Sequence, residues 1–166
     1  FGGSFVSKFE KSTEDYYFII HPDVDSLTAT ATIPADKIPQ NVATWAARFN
    51  FGYKGFRLET EYAQKINDPN VTNQYIYKDG QALFFSATYS TKGLGVSASF
   101  IRADNMDFRS QRGEKNNSLL SINYIPAINR QYAYQLLGNY SYASQPNGQI
   151  GAQFQLNYQI PKKSKL

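Results

Sequence analysis

Few residues in this chain are equipped for chemistry. His21 is the single histidine and there is no cysteine in 166 residues. A zinc site needs several His or Cys ligands, and a Ser-His-Asp relay needs a histidine held beside the nucleophile, so neither forms in its usual way. His21 reads as a loop residue. Glu59 and Glu61 are paired carboxylates, but with Arg57 on the same strand face they read as a charge-balanced group and not as an acid and base. Asp104 and Asp107 in ADNMD, and Asp23 and Asp25 in HPDVD, offer oxygens of the kind calcium takes. Neither run has EF-hand spacing, and Asp and Asn are favoured in turns by their own backbone hydrogen bonds. KGLG at 92–95 reads as a hairpin turn, because no helix follows it to hold a phosphate. The expectation is no catalytic residue, no metal, no cofactor and no enzyme.

Four charges do sit inside regular segments. Arg48, Arg57, Glu59 and Glu61 fall on the polar faces of two successive alternating stretches, where they would meet as a cross-strand ion-pair ladder. Two roles stay open for them: bracing a wall, or forming a selectivity cluster in a pore.

The segments that carry these residues alternate with period two. In QIGAQFQLNYQI at 149–160 the even positions Ile150, Phe154, Leu156, Tyr158 and Ile160 are large and apolar, whereas the odd ones are Gln, Asn or Gly. Side chains alternate across a strand, so this is a ribbon with one greasy and one wet face. The same alternation runs through 44–54, 56–65, 81–90, 94–102, 118–125 and 131–143, with GSFVSKFEK at 3–11 an eighth candidate. Phe84 breaks the pattern in 81–90. No helical apolar period is sustained. Tight joins at Lys54-Gly55, at Thr91-Lys92-Gly93 and through PAIN at 126–129 alternate with long polar connections near 21–41, 66–80 and 103–117. Terse turns on one side and elaborate loops on the other suit consecutive antiparallel strands crossing a slab.

A soluble up-and-down barrel shows the same alternation with its apolar face inward. Soluble exteriors, however, are rich in Lys, Glu and Asp, and the wet faces here are mostly Gln, Asn, Ser, Gly and Ala. Aromatics reach 16%, and tyrosines crowd segment ends, where a lipid–water boundary satisfies both ring and hydroxyl. Trp45, Tyr53, Tyr132, Tyr134, Tyr140, Tyr142 and Tyr158 are the expected aromatic girdle. The predicted fold is all-β: an antiparallel up-and-down transmembrane β-barrel of about eight strands, or a segment of a larger one, as a single domain over 1–166. No apolar stretch approaches the 18 residues of a spanning helix. Net charge is +4, with Lys and Arg scattered apart from PKKSK at 161–165, so no nucleic-acid partner is expected. The chain begins FGGSF and ends KSKL, without a signal peptide, and reads as a mature or partial chain.

KINDPN at 65–70, the run at 75–110, NYIPAINRQYAY at 123–134 and SQPNGQIGAQFQLNY at 144–158 resemble a family of Bacteroidota outer-membrane barrel proteins catalogued only as a domain of unknown function. That resemblance implies the outer membrane of a Gram-negative bacterium, lipid as a partner, and a longer parent barrel. Asp25-Ser26-Leu27 resembles the Asp-Ser/Thr-apolar sequence that exported Bacteroidota proteins use for O-glycosylation, which makes Ser26 a candidate glycan site. The expected function is a porin-like passive channel for small solutes. A structural or accessory subunit docking other envelope proteins through its loops is the alternative, and a soluble barrel binding an apolar ligand is the third.

Overall fold

The structure, a computed structural model, describes residues 1–11, 16–20, 29–113, 120–123, 125 and 145–160. Within them lie β1 (Gly2–Phe9), β2 (Tyr16–Ile20), β3 (Ala29–Ile33), β4 (Asn41–Tyr53), β5 (Phe56–Lys65), β6 (Gly80–Thr91), β7 (Leu94–Asp104) and β8 (Gly148–Tyr158). Two single-turn 3-10 helices, Ala35–Lys37 and Val71–Asn73, complete the elements, and there is no α-helix among the described residues. Six strands form one antiparallel sheet in the order β1-β4-β5-β6-β7-β8, with β2 and β3 paired separately. The sheet is open, with β1 and β8 as its edges, and the described residues do not close it into a barrel.

Six of the expected strands are present, and two differences concern the loops. β8 pairs directly with β7, so 118–125 does not stand between them in the sheet. Residues 120–123 instead return beside 108–110: the Ser110 and Ile122 amides donate to the Leu120 and Phe108 carbonyls at 2.9 and 2.8 Å. The alternation of Leu120 and Ile122 belongs to this short ribbon. The connection near 21–41 also contains strand β3. The expected strand at 131–143 lies outside the described residues, as do Tyr132, Tyr134, Tyr140, Tyr142, Ser26, His21, Asp23 and Asp25.

The Lys54-Gly55 turn takes positive φ at both residues, 42° and 83°, as a two-residue hairpin of this hand requires. A Cβ on Gly55 would lie 2.3 Å from the Ser90 carbonyl oxygen, whose own amide donates to the Gly55 carbonyl at 2.9 Å. The G55A substitution should cost ~1–2 kcal/mol for the backbone alone, with the collision added. The check is a lowered urea midpoint of the detergent-refolded protein relative to G52A, where only a 3.9 Å contact exists.

Register brings every wet face to one side. Ser4, Ala46, Ala63, Ala82, Ala103 and Gln149 share one row of that face, and Asn50, Glu59, Ser86, Ser99 and Gln153 another. The opposite face carries Phe51, Leu58, Ala87, Ala98 and Phe154 in one row, and Tyr53, Phe56, Tyr89, Val96 and Leu156 in the next. The buried residues sit on the wet side. Val42, Ile101 and Ala103 are 1–2% exposed beneath the loop residues Met106 and Phe108, at 4% and 0%. The greasy face stays bare, with Phe5 at 69%, Ile150 at 72% and Phe154 at 70%.

Candidate functional site

Two assemblies on the wet face hold the polar chemistry. The first is the strand-borne group. Arg48 and Glu61 are directly opposite, and their side chains meet at 3.4 Å while remaining 46% and 43% exposed. The Arg48 guanidinium also donates to Ser4 Oγ on β1 at 2.9 Å. Arg57 faces Gly52 and Thr88, and Glu59 faces Asn50 and Ser86. The ladder therefore has one rung, because neither Arg57 nor Glu59 forms an ion pair among the described residues. β6, β7 and β8 continue the face with hydroxyls and amides, including a Ser99–Ser86 hydroxyl contact at 3.3 Å.

The second assembly is buried at the loop end and was not legible as a site. Lys8 Nζ donates to the Arg109 carbonyl at 2.6 Å and to Glu10 Oε2 at 3.4 Å, and forms an ion pair with Asp68 Oδ2 at 3.0 Å. Arg112 is fully buried; its Nε donates to Asp68 Oδ1 at 3.0 Å, its Nη2 to the Pro39 carbonyl, and its backbone amide to Glu10 Oε1 at 3.0 Å. Lys65 Nζ donates to the Asp107 carbonyl at 2.6 Å, and Asp107 faces Arg109 Nε at 3.2 Å.

Asparagines knit the loops around these charges. Asn70 Oδ1 caps the turn at Thr72 and Asn73, and Asn73 Nδ2 donates to the Asp68 carbonyl and to Asn105 Oδ1. Partial desolvation raises the Tyr77 hydroxyl above the usual phenol range, against the pull of Arg112, and the hydroxyl donates to the Lys37 carbonyl at 3.2 Å. Buried charges of this kind persist only when paired and hydrogen-bonded, and here they lock 66–73 to 105–112.

A cavity of about 320 Å³ lies between the loop segment and the sheet, lined by Val6, Phe84, Ile101, Met106, Phe108 and Ile122 among others. No group of three or more His, Cys, Asp or Glu residues suited to a metal occurs among the described residues.

Of the expected girdle, Trp45, Tyr53 and Tyr158 lie on the greasy face toward opposite ends of it. Trp45 packs on Tyr62 with ring centroids 5.6 Å apart at the loop end. Tyr53 and Tyr158 sit at the turn end, 60% and 65% exposed. None of the helices among the described residues is long and apolar enough to cross a membrane, which leaves crossing by strands untouched.

These features define an all-β antiparallel protein with a bare apolar face, a polar face, and a charge-locked loop assembly at one end. The chain belongs to the Family of unknown function (DUF6029), whose model matches residues 1–166. No curated protein and no solved structure matches it.

Proposed function

We propose that the chain is part of the wall of an outer-membrane β-barrel that serves as a porin-like passive channel, with lipid against the apolar face and a hydrated lumen against the polar one. The observation that carries this is the inverted placement of the core. Fourteen large apolar side chains of the strands on one face, Phe5, Trp45 and Phe154 among them, are 37% exposed or more. At about 200 Å² each and roughly half exposed, they leave on the order of 1,500 Å² of apolar surface bare, several times the largest patch of an ordinary soluble monomer. A soluble barrel binding an apolar ligand would cover that face, whereas the loops here cover the other.

Strand lengths of 10–13 residues in β4 to β8 meet the 9–11 needed for a tilted span. The apolar stretch also descends across the sheet, centred near Phe5 in β1, Phe49 in β4 and Ala98 in β7. Since Phe5 pairs with Trp45 and the row of Phe49 reaches Phe100, the centre drops by about six residues over four strand steps. That is ~20 Å along the strands against ~19 Å across them. A membrane plane cutting strands tilted by about 45° gives this slant, close to the tilt of outer-membrane barrels.

The test is conductance in a planar bilayer, using the full-length protein extracted in mild detergent. Ion flow is expected, and Arg57→Glu, which replaces an exposed cation of the polar face with an anion, should shift the reversal potential in a salt gradient toward cation preference by several millivolts. Absence of conductance would leave the second proposal, an envelope-complex subunit. One observation favours that alternative: Ile66, Ile76 and Tyr77 on the 66–79 loop are 47–51% exposed at the loop end. Co-migration with other envelope proteins on extraction would be its signature.

A further inference from the structure

The polar face is not polar throughout. Toward the loop end it carries Val6, Val42, Phe84, Ile101 and Ala103, and it is onto this patch that residues 105–113 fold, returning as 120–123. Phe108 becomes fully buried there and Met106 nearly so. Two lysines of the wall hold the ribbon by its backbone: Lys8 Nζ on the Arg109 carbonyl and Lys65 Nζ on the Asp107 carbonyl, each at 2.6 Å. Lys8 also stands over the Phe108 ring, 5.4 Å from its centroid. A loop that merely links two strands outside a barrel would leave its apolar residues wet, and would not draw wall cations to its main chain.

We propose that this ribbon is a built-in constriction: where the polar face lines a passage, 105–113 with 120–123 narrows it at the loop end and sets the size of solute that passes. The proposal rests on the channel reading. The device is charge-assisted anchoring of a backbone over an apolar landing patch, which fixes the ribbon's depth in the lumen.

These 166 residues hold no cysteine, so within them a thiol introduced at one position is read alone. M106C and I76C, introduced singly into the full-length protein in vesicles, report burial through their rates of labelling by a water-soluble maleimide. Position 76, about half exposed, should label at least tenfold faster than position 106. Adding Lys65→Met should narrow that gap and at least double single-channel conductance. Phe84→Ala, which removes a wall contact without altering charge, should do the same by a route that leaves the buried charges intact. Equal labelling of the two positions in the otherwise unaltered chain would overturn the proposal. So would release of position 106 with conductance unchanged, which would place the ribbon outside the path. No current from any variant would sink the channel reading and the constriction together, a result distinct from current that ignores the ribbon.

Discussion

Arg112→Met is expected to destabilise the protein by about 3–5 kcal/mol, the largest effect of any single side chain at the loop end. The cause is what it leaves behind. Asp68 is fully buried and is balanced by Arg112 Nε at 3.0 Å and Lys8 Nζ at 3.0 Å. Methionine fills much of the volume but strips one counter-charge from Asp68, the side-chain donor from the Pro39 carbonyl and a 3.6 Å ion pair from Glu10, whose bond from the residue-112 backbone amide remains. A fully buried carboxylate left with Lys8 alone, its Oδ1 without a donor, costs more than that bond contributes when made. Arg112→Lys keeps the charge and loses the fork that serves Asp68 and Pro39 together, so it should fall between the two.

The double variant Arg112→Met/Asp68→Leu removes both charges and should recover much of the loss, a non-additivity that marks a coupled pair. The measurement is the urea midpoint of the refolded protein for the two single variants and the double. Additive losses would mean that the two side chains act separately, contrary to their geometry.

This network shows where a single sequence stops being informative. Alternation in 44–54, 56–65, 81–90, 94–102 and 149–160 was enough to assign five strands and their faces, because period two is a local property of the backbone. The register then followed from tight turns, since Lys54-Gly55 sets Tyr53 opposite Phe56 and carries every later pair with it. Arg48 and Glu61 were therefore readable as members of a cross-strand ladder, of which they form the one rung among the described residues.

Lys8, Asp68 and Arg112 were not, because Asp68 meets Arg112 across 44 residues and Arg112 meets Glu10, beside Lys8, across 102, through loops whose Asp, Asn and Pro content speaks only of turns. One signal was present and lacked an explanation. Phe84 broke the alternation of its strand, and in the structure it pairs with Ile101 in the patch beneath the ribbon. An apolar residue on a wet face marks a place where something else comes to cover it. The alternation at 118–125 misled for the converse reason, as a short ribbon on a wall obeys the same period as a strand within it.

Which solvent meets the greasy face decides more than any other property of this protein, and Phe154→Arg interrogates it. Phe154 lies near the middle of the apolar stretch of β8, opposite Ala98 and 70% exposed. If water covered that face, an exposed Phe→Arg change would fall within about 0.5 kcal/mol of neutral, since no packing is lost and no charge is buried. If lipid covers it, arginine near the bilayer midplane costs ~2–4 kcal/mol, falling to ~0–1 near the interface.

Depth supplies the internal control. Tyr158→Arg, four residues along on the same face at the end of β8, should cost little because its guanidinium can reach the headgroups. Gln155→Arg, adjacent in sequence but on the polar face, should be nearly silent. Measured as urea midpoints in lipid vesicles, the expected order of destabilisation is Phe154→Arg well above Tyr158→Arg and Gln155→Arg. Three equal, small effects would mean a solvated face, and the sheet would then need another covering. A large loss at Gln155 with none at Phe154 would reverse the two faces, placing the loop-covered amide face in a core and leaving the apolar face as the solvated exterior.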